Sequence, residues 1–323
     1  MHQFSTYHQQ FFTSFFQDQS DQHIVKFLNS HGLAGQAYKF LDKYLSTFVL
    51  TELKKKYHQQ WALNCLLEQE LEEIQKRCLE KKIKLVVLKG MALINNLYSD
   101  PGLRAISDID LLVEKKDWDY FKEILIQLGH QDVSCTRWEY NDYKINTSRF
   151  VDDIEVVVEG HLHLFKNDNW PMWNKTHLGK GDLLGLSLED NLVHLMGHLA
   201  YQHTFLKLTW LLDIFYYLER YENQLNWELI NKKIKHLNHK SSSWASLWCM
   251  EKYFGLHFLQ KINSANQIGL LKKFLITMSL SKKLLWYPEK NRFKYYLLKH
   301  LLKDSLLESL RYDYYWFIRK AWK

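Results

Sequence analysis

LVVLKGMALINNLYSDPGLRAISDIDLLV, residues 85–113, sets two apolar strand patterns around a short helical one and carries two closely spaced acids. An apolar run, Ile83 to Leu88, has strand character and ends at Lys89-Gly90. A short helical pattern, Met91 to Tyr98, follows, and Asp100-Pro101-Gly102 marks a turn. Ser107-Asp108-Ile109-Asp110 then enters a second apolar strand that runs to Val113. Side chains alternate faces along a strand, so Asp108 and Asp110 share one face while Ile109 points into a core. Two carboxylates on one strand face stand roughly 7 Å apart, given a rise of about 3.3 Å per residue. That spacing suits shared divalent cations, which lie about 3.5–4 Å apart in two-metal sites. The pattern implies metal-dependent phosphoryl or nucleotidyl transfer.

Outward from this block, strands and helices alternate. Glu114 to Leu128 carries Trp118, Phe121, Leu125 and Leu128 at helical spacing and is closed by Gly129. Strands are expected over Gln131 to Trp138, Lys144 to Phe150 and Ile154 to Leu164. In the last, Glu155, Glu159, His161 and His163 share a polar face opposite Ile154, Val156, Val158, Leu162 and Leu164. Glu159 is the preferred third acid beside Asp108 and Asp110, as metal ligand or base, with Glu155 as its rival on the same face. Asp168 to Asp182 has loop composition, and helices are expected from Leu186 to the end. Before the block, residues 1–80 read as helical, with Phe11, Phe12, Phe15 and Phe16 on one stripe and a break at Gly32 and Gly35.

The order of elements reads as an α+β fold, and the bulk numbers suit a compact, mostly helical globular protein. At 323 residues the chain exceeds one ordinary domain, and 46% hydrophobic content with only 3 Pro excludes a disordered chain. Four scattered cysteines form no C-x-x-C, which argues against a disulfide framework or a cysteine-rich zinc site. The first residues lack a secretory pattern and no apolar run reaches about 18 residues, so a cytoplasmic setting without a transmembrane segment is expected. The charge of +7 is uneven: residues 221–323 hold 19 Lys/Arg against 7 Asp/Glu. This excess suits a polyanionic partner or, equally, a solvated lysine-rich helical face. The tail ESLRYDYYWFIRKAWK, with Arg311, Arg319, Lys320 and Lys323, is read as a packed aromatic stripe more than a nucleic-acid or membrane surface.

The stretches LKGMALINNLYSDPGLRAISDIDLLV, VEGHLHLF, LEDNLVHLMGHLAYQH and LTWLLDIFYYL together resemble a bacterial family of nucleotidyltransferases within the DNA polymerase β superfamily. The resemblance spans roughly Leu85 to Leu218 and rests on Lys89, Gly90, Arg104, Ser107, Asp108, Asp110, Glu159, His161, His194 and His198. It implies a small mixed β-sheet core over residues 81–168, an N-terminal helical segment over 1–80 and a basic helical domain over 186–323. It further implies Mg2+, with Mn2+ as an alternative, on Asp108, Asp110 and Glu159. Lys89, Gly90, Arg104, Ser107 and His161 would then meet a nucleoside triphosphate such as ATP. The acceptor would be a small molecule or a protein; nucleic acid is the weaker option. Two departures stand out. The superfamily's Gly-Ser or Gly-Gly pair is replaced by Lys89-Gly90-Met91, so phosphate binding rests on Lys89, backbone groups and a helix N-terminus. The third acid is Glu where Asp is common. The competing reading is a non-catalytic nucleotide- or RNA-binding protein of the same fold. His194 and His198, at i and i+4, are read as hydrogen-bonding residues rather than zinc ligands, and Asp213 as an acid within a helical core.

Overall fold

The protein is described by a computed structural model over residues 6–17, 19–132, 144–165, 175–177, 183–305, 307, 309–310 and 313–314. Chain order begins with α1 (Thr6–Phe16), α2 (Asp21–Ser30), α3 (Ala34–Phe40) and the 34-residue α4 (Thr47–Glu80). Then come β1 (Leu85–Val87), α5 (Lys89–Asn96), β2 (Asp108–Val113), α6 (Trp118–Gln127), β3 (Gln131–Asp132), β4 (Lys144–Val151) and β5 (Ile154–His161). The strands end with β6 (Lys175–His177) and β7 (Leu184–Leu186). Helices follow: α7 (Leu188–Met196), α8 (Leu208–Tyr221), α9 (Trp227–His236), α10 (Lys240–Phe254), α11 (Leu270–Ser279), α12 (Lys282–Trp286) and α13 (Arg292–Leu301). No helix among the described residues is long and apolar enough to cross a membrane.

The chain divides into two compact units. The first comprises residues 33–42 and 50–187 and holds the sheet. Its seven strands run in the order β3-β4-β5-β2-β1-β7-β6. The sheet is mixed: β1 pairs antiparallel with β2 and parallel with β7, β2 pairs parallel with β5, and β5 pairs antiparallel with β4. Period-two alternation gives the sheet one apolar face, where Leu85, Val87, Ile109, Leu111, Val113, Ile145, Val156 and Val158 are buried. Leu67, Leu71, Ile74 and Cys78 of α4 and Phe121, Ile124 and Leu125 of α6 cover that face. Full burial of each such side chain contributes about 1.5–3 kcal/mol.

α4 does more than cover the sheet. One turn-spaced row on its surface begins with Tyr57, Gln60 and Asn64 and continues as Leu67, Leu71 and Ile74. Its polar half holds the loop ahead of β2. Tyr57 Oη donates to Asp100 at 2.6 Å, and Gln60 Nε2 donates to the Ile106 carbonyl at 3.0 Å. Asn64 Nδ2 donates to the carbonyls of Pro101 at 2.6 Å and Arg104 at 2.8 Å. Farther along α4, the buried Glu70 accepts from His130 Nε2 at 2.8 Å and from the Arg149 guanidinium, which ties β4 to the helix on the apolar side of the sheet.

The second unit comprises residues 1–32, 43–49 and 188–323 and is helical where described. Phe11 and Phe15 of α1 pack against Trp286, Phe11 also against Phe254 and Phe15 also against Phe27. Asp190 and Lys233 form a fully buried ion pair between α7 and α9.

Two differences from the sequence-based expectation concern elements. The region read as a loop from Asp168 to Asp182 contains β6, and β7 precedes the helices; Thr176 pairs with Gly185. Both are three-residue strands, too short for alternation to register. The expected strand Gln131 to Trp138 is described only at Gln131–Asp132, and Arg311, Arg319, Lys320 and Lys323 lie outside the described residues.

Candidate functional site

On the face opposite the core, β2 and β5 run side by side in parallel register, with Asp108 beside Val157, Asp110 beside Glu159 and Leu112 beside His161. The acids therefore meet because two strands alternate in phase. Gly160, between Glu159 and His161, points to the core side. A Cβ there would stand 2.7 Å from Phe121 Cε1 and 3.0 Å from Ile145 Cγ1, so the strand lies close to its cover only as glycine.

His161 Nε2 lies 2.9 Å from Asp110 Oδ1 and 3.5 Å from Glu159 Oε2. Carboxylates only accept, so Nε2 carries a proton and donates. Asp110, Glu159 and His161 offer one ligand atom each, all within 4.8 Å of one another. Two carboxylate oxygens and an imidazole nitrogen so placed fit one divalent cation at bond lengths of about 2.0–2.2 Å, with the nitrogen proton displaced. Asp108, partly exposed at the start of β2, accepts from Ser107 Oγ at 3.2 Å and stands outside this tightest cluster.

Two ammonium groups flank the acids. Lys89 is the first residue of α5 and adopts φ +44°, a left-handed conformation that costs a non-glycine residue about 1–3 kcal/mol. It turns the chain from β1 into the helix and sets Nζ 2.7 Å from Asp110 Oδ1. Gly90 follows for a steric reason: a Cβ there would lie 2.9 Å from Arg104 Nη1 and 3.1 Å from Ile106. Arg104 is buried, and its guanidinium also donates to the Ala105 carbonyl at 3.3 Å. On the other flank Lys144 of β4 places Nζ 2.6 Å from Glu159 Oε2.

The electrostatics follow from this packing. Burial pushes the Asp108 carboxyl up to about 6, aided by the charges of Asp110 and Glu159. Burial acts the same way on Asp110, but Lys89 and His161 outweigh it and hold that carboxyl well below the usual range. Glu159 is lowered too, as the His161 hydrogen bond and Lys144 overcome burial and the neighbouring Asp110. Lys89 is held above its ordinary value because Asp110 and Glu159 outweigh its burial. The surroundings of Asp110 and Glu159 therefore favour their charged forms, and Asp108 is the acid raised toward about 6.

Sequence reasoning placed Lys89, Gly90, Arg104, Ser107, Asp108, Asp110, Glu159 and His161 on the elements that meet here. Glu155, the rival acid, is exposed and pairs across from Phe150. His163 lies beyond the end of β5 and is exposed. His194, His198 and Asp213 belong to the helical unit; His198 Nδ1 meets Gln202 Oε1 at 3.1 Å, and Asp213 is buried in α8. Lys144 and Asn146 were missed. Both share the site face of β4, opposite His161 and Glu159. Their signal was the Asp152-Asp153 turn, where both residues have positive φ (47° and 63°) and fix the β4–β5 register.

No curated protein and no solved structure matches the chain. One family model does, described as "Uncharacterised nucleotidyltransferase", and it matches residues 17–255, which include every residue of the acid and lysine cluster. A match over most of the chain, with that cluster inside it, establishes that this protein belongs to that nucleotidyltransferase family.

Proposed function

We propose that this protein moves a nucleoside monophosphate from a nucleoside triphosphate to an acceptor, a small molecule or a protein side chain, with Mg2+ as the physiological cation and Mn2+ as a substitute. The observation that carries this reading is the in-phase pairing of Asp110 with Glu159 across two parallel strands, flanked by Lys89 at the start of a helix. Asp108, Asp110 and Glu159 would hold the cation, with His161 as a nitrogen donor in the same cluster. Bound there, a divalent cation supplies charge stabilisation for the attacking and leaving oxygens.

The chain's own residues supply positioning. Lys89 and the first amides of α5 bind the triphosphate, and Lys89 stays charged as negative charge builds on the leaving group. Arg104, packed against Gly90, orients the same turn. The acceptor oxygen or nitrogen attacks the α-phosphorus, a new bond to phosphorus forms, and the bond to the β-phosphate bridging oxygen breaks. The electron pair leaves with pyrophosphate, and the acceptor's proton passes to water.

The test supplies the protein with the four nucleoside triphosphates, Mg2+ and a cell extract and reads products by mass spectrometry. A mass increment of one nucleoside monophosphate with pyrophosphate release is expected, reduced at least about a hundredfold in Asp110→Asn, whose fold should persist. Equal product in the wild type and the variant, or none in either, removes the reading.

A further inference from the structure

The sheet order carries an inference about the acceptor, resting on the nucleotidyl-transfer reading above. Across β4-β5-β2-β1, Lys89 follows the end of β1 while Lys144 sits on β4, three strands away. Neighbouring strands are about 4.8 Å apart, so the two ammonium groups rise from strands roughly 14 Å apart. The triphosphate is accounted for at Lys89, where a helix begins. Lys144 is on the far side of the acids from that helix.

Two features of β4 point to a second ligand. Lys144 is 27% exposed at its side chain and its described partner is Glu159, so a cation that takes the Glu159 carboxylate leaves Lys144 with unspent positive charge. Asn146, directly across from Glu159, has a buried side-chain oxygen with no hydrogen-bond partner among the described residues. A buried acceptor atom without a donor is rare in native proteins and is commonly completed by a ligand or water. The two side chains are i and i+2 on one strand, hence on one face.

We propose that Lys144 and Asn146 form the acceptor subsite, and that the acceptor is a molecule carrying an anionic group, phosphate or carboxylate, next to a hydroxyl or amine. Lys144 binds the anion by a charge-assisted hydrogen bond once Glu159 is engaged elsewhere. Asn146 Oδ1 accepts from the acceptor's O–H or N–H and holds it beside Glu159.

The experiment uses the full chain saturated with Mg2+ and the α,β-methylene analogues of the four triphosphates. Inorganic phosphate and acetate are titrated separately as probes, and line broadening of each probe is read by NMR. Wild type should bind at least one probe in the millimolar range. Lys144→Met should weaken that binding about tenfold or more, Lys144→Arg should restore it, and analogue affinity should change less than about twofold. Phosphate binding alone identifies a phosphorylated acceptor, and acetate binding alone a carboxylate. Binding of neither probe to wild type, or equal binding to wild type and Lys144→Met, overturns the subsite while analogue binding stands. Failure of wild type to bind any Mg2+ analogue removes the nucleotidyl-transfer reading itself, and the subsite with it.

Discussion

Asp108 shows how much one carboxylate depends on its neighbours. Its folded pKa is raised to about 6, above the ordinary value of 3.8, by burial and then by Asp110 and Glu159. A carboxyl whose pKa rises on folding binds its proton more tightly when folded, so it costs stability once both states are ionised. The cost is absent below about pH 4, grows between pH 4 and 6, and is complete above 6. With a chelator present, Asp108→Asn should therefore melt higher than wild type at pH 8 and equal to it near pH 4, which differential scanning calorimetry at both pH values checks. A gain at pH 4 as large as at pH 8 would contradict this origin. At this scale much was legible: alternation put Asp108 and Asp110 on one face of their strand and Glu159 with His161 on one face of theirs. Lys89's left-handed backbone was not, because a lysine has no sequence preference for positive φ.

Elements decide which of these residues meet. The β4–β5 hairpin turns at Asp152-Asp153, both left-handed and exposed, and so sets Asn146 against Glu159 and Lys144 against His161. Each left-handed L-residue costs roughly 1–2 kcal/mol, and glycine avoids that cost. Asp153→Gly should thus stabilise the protein by up to about 1 kcal/mol in urea unfolding, with activity retained because the register is kept. A loss of stability would mean that the aspartate side chain contributes more than its backbone costs. The sequence reading found strands at Lys144 to Phe150 and Ile154 to Leu164 but did not use the two residues between Val151 and Ile154 as a register mark. Without register, Lys144 was one lysine among many. The β6–β7 pair was hidden for a different reason: three-residue strands carry too few positions for a period to appear.

At the scale of the molecule, the sheet unit contains all the residues of the candidate site, and the helical unit carries the basic excess. Several of those lysines are engaged within their own unit: Lys233 with Asp190, Lys299 with Asp313, Lys232 with Glu228, and Lys272 with the Lys303 carbonyl. Of these, Lys233 is fully buried and Lys232 is exposed. The N-terminal 80 residues, read from sequence as one helical segment, are shared between the units: residues 1–32 and 43–49 go with the helical unit, 33–42 and 50–80 with the sheet unit. Periodicity reports that Phe11 and Phe15 are buried; it carries no mark of Trp286, more than 270 residues away, as their partner.

On the proposed function, the acids of β2 and β5 form a cation site serving a triphosphate. Electron paramagnetic resonance of Mn2+ titrated into the full chain, with and without the α,β-methylene triphosphate analogues, tests it most directly. Bound Mn2+ is expected in wild type, tightened by an analogue as Lys89 shifts from Asp110 to phosphate, and lost in both Asp110→Asn and Glu159→Gln. Mn2+ that stays free in wild type under both conditions, or that binds the two variants as tightly as wild type, would contradict it.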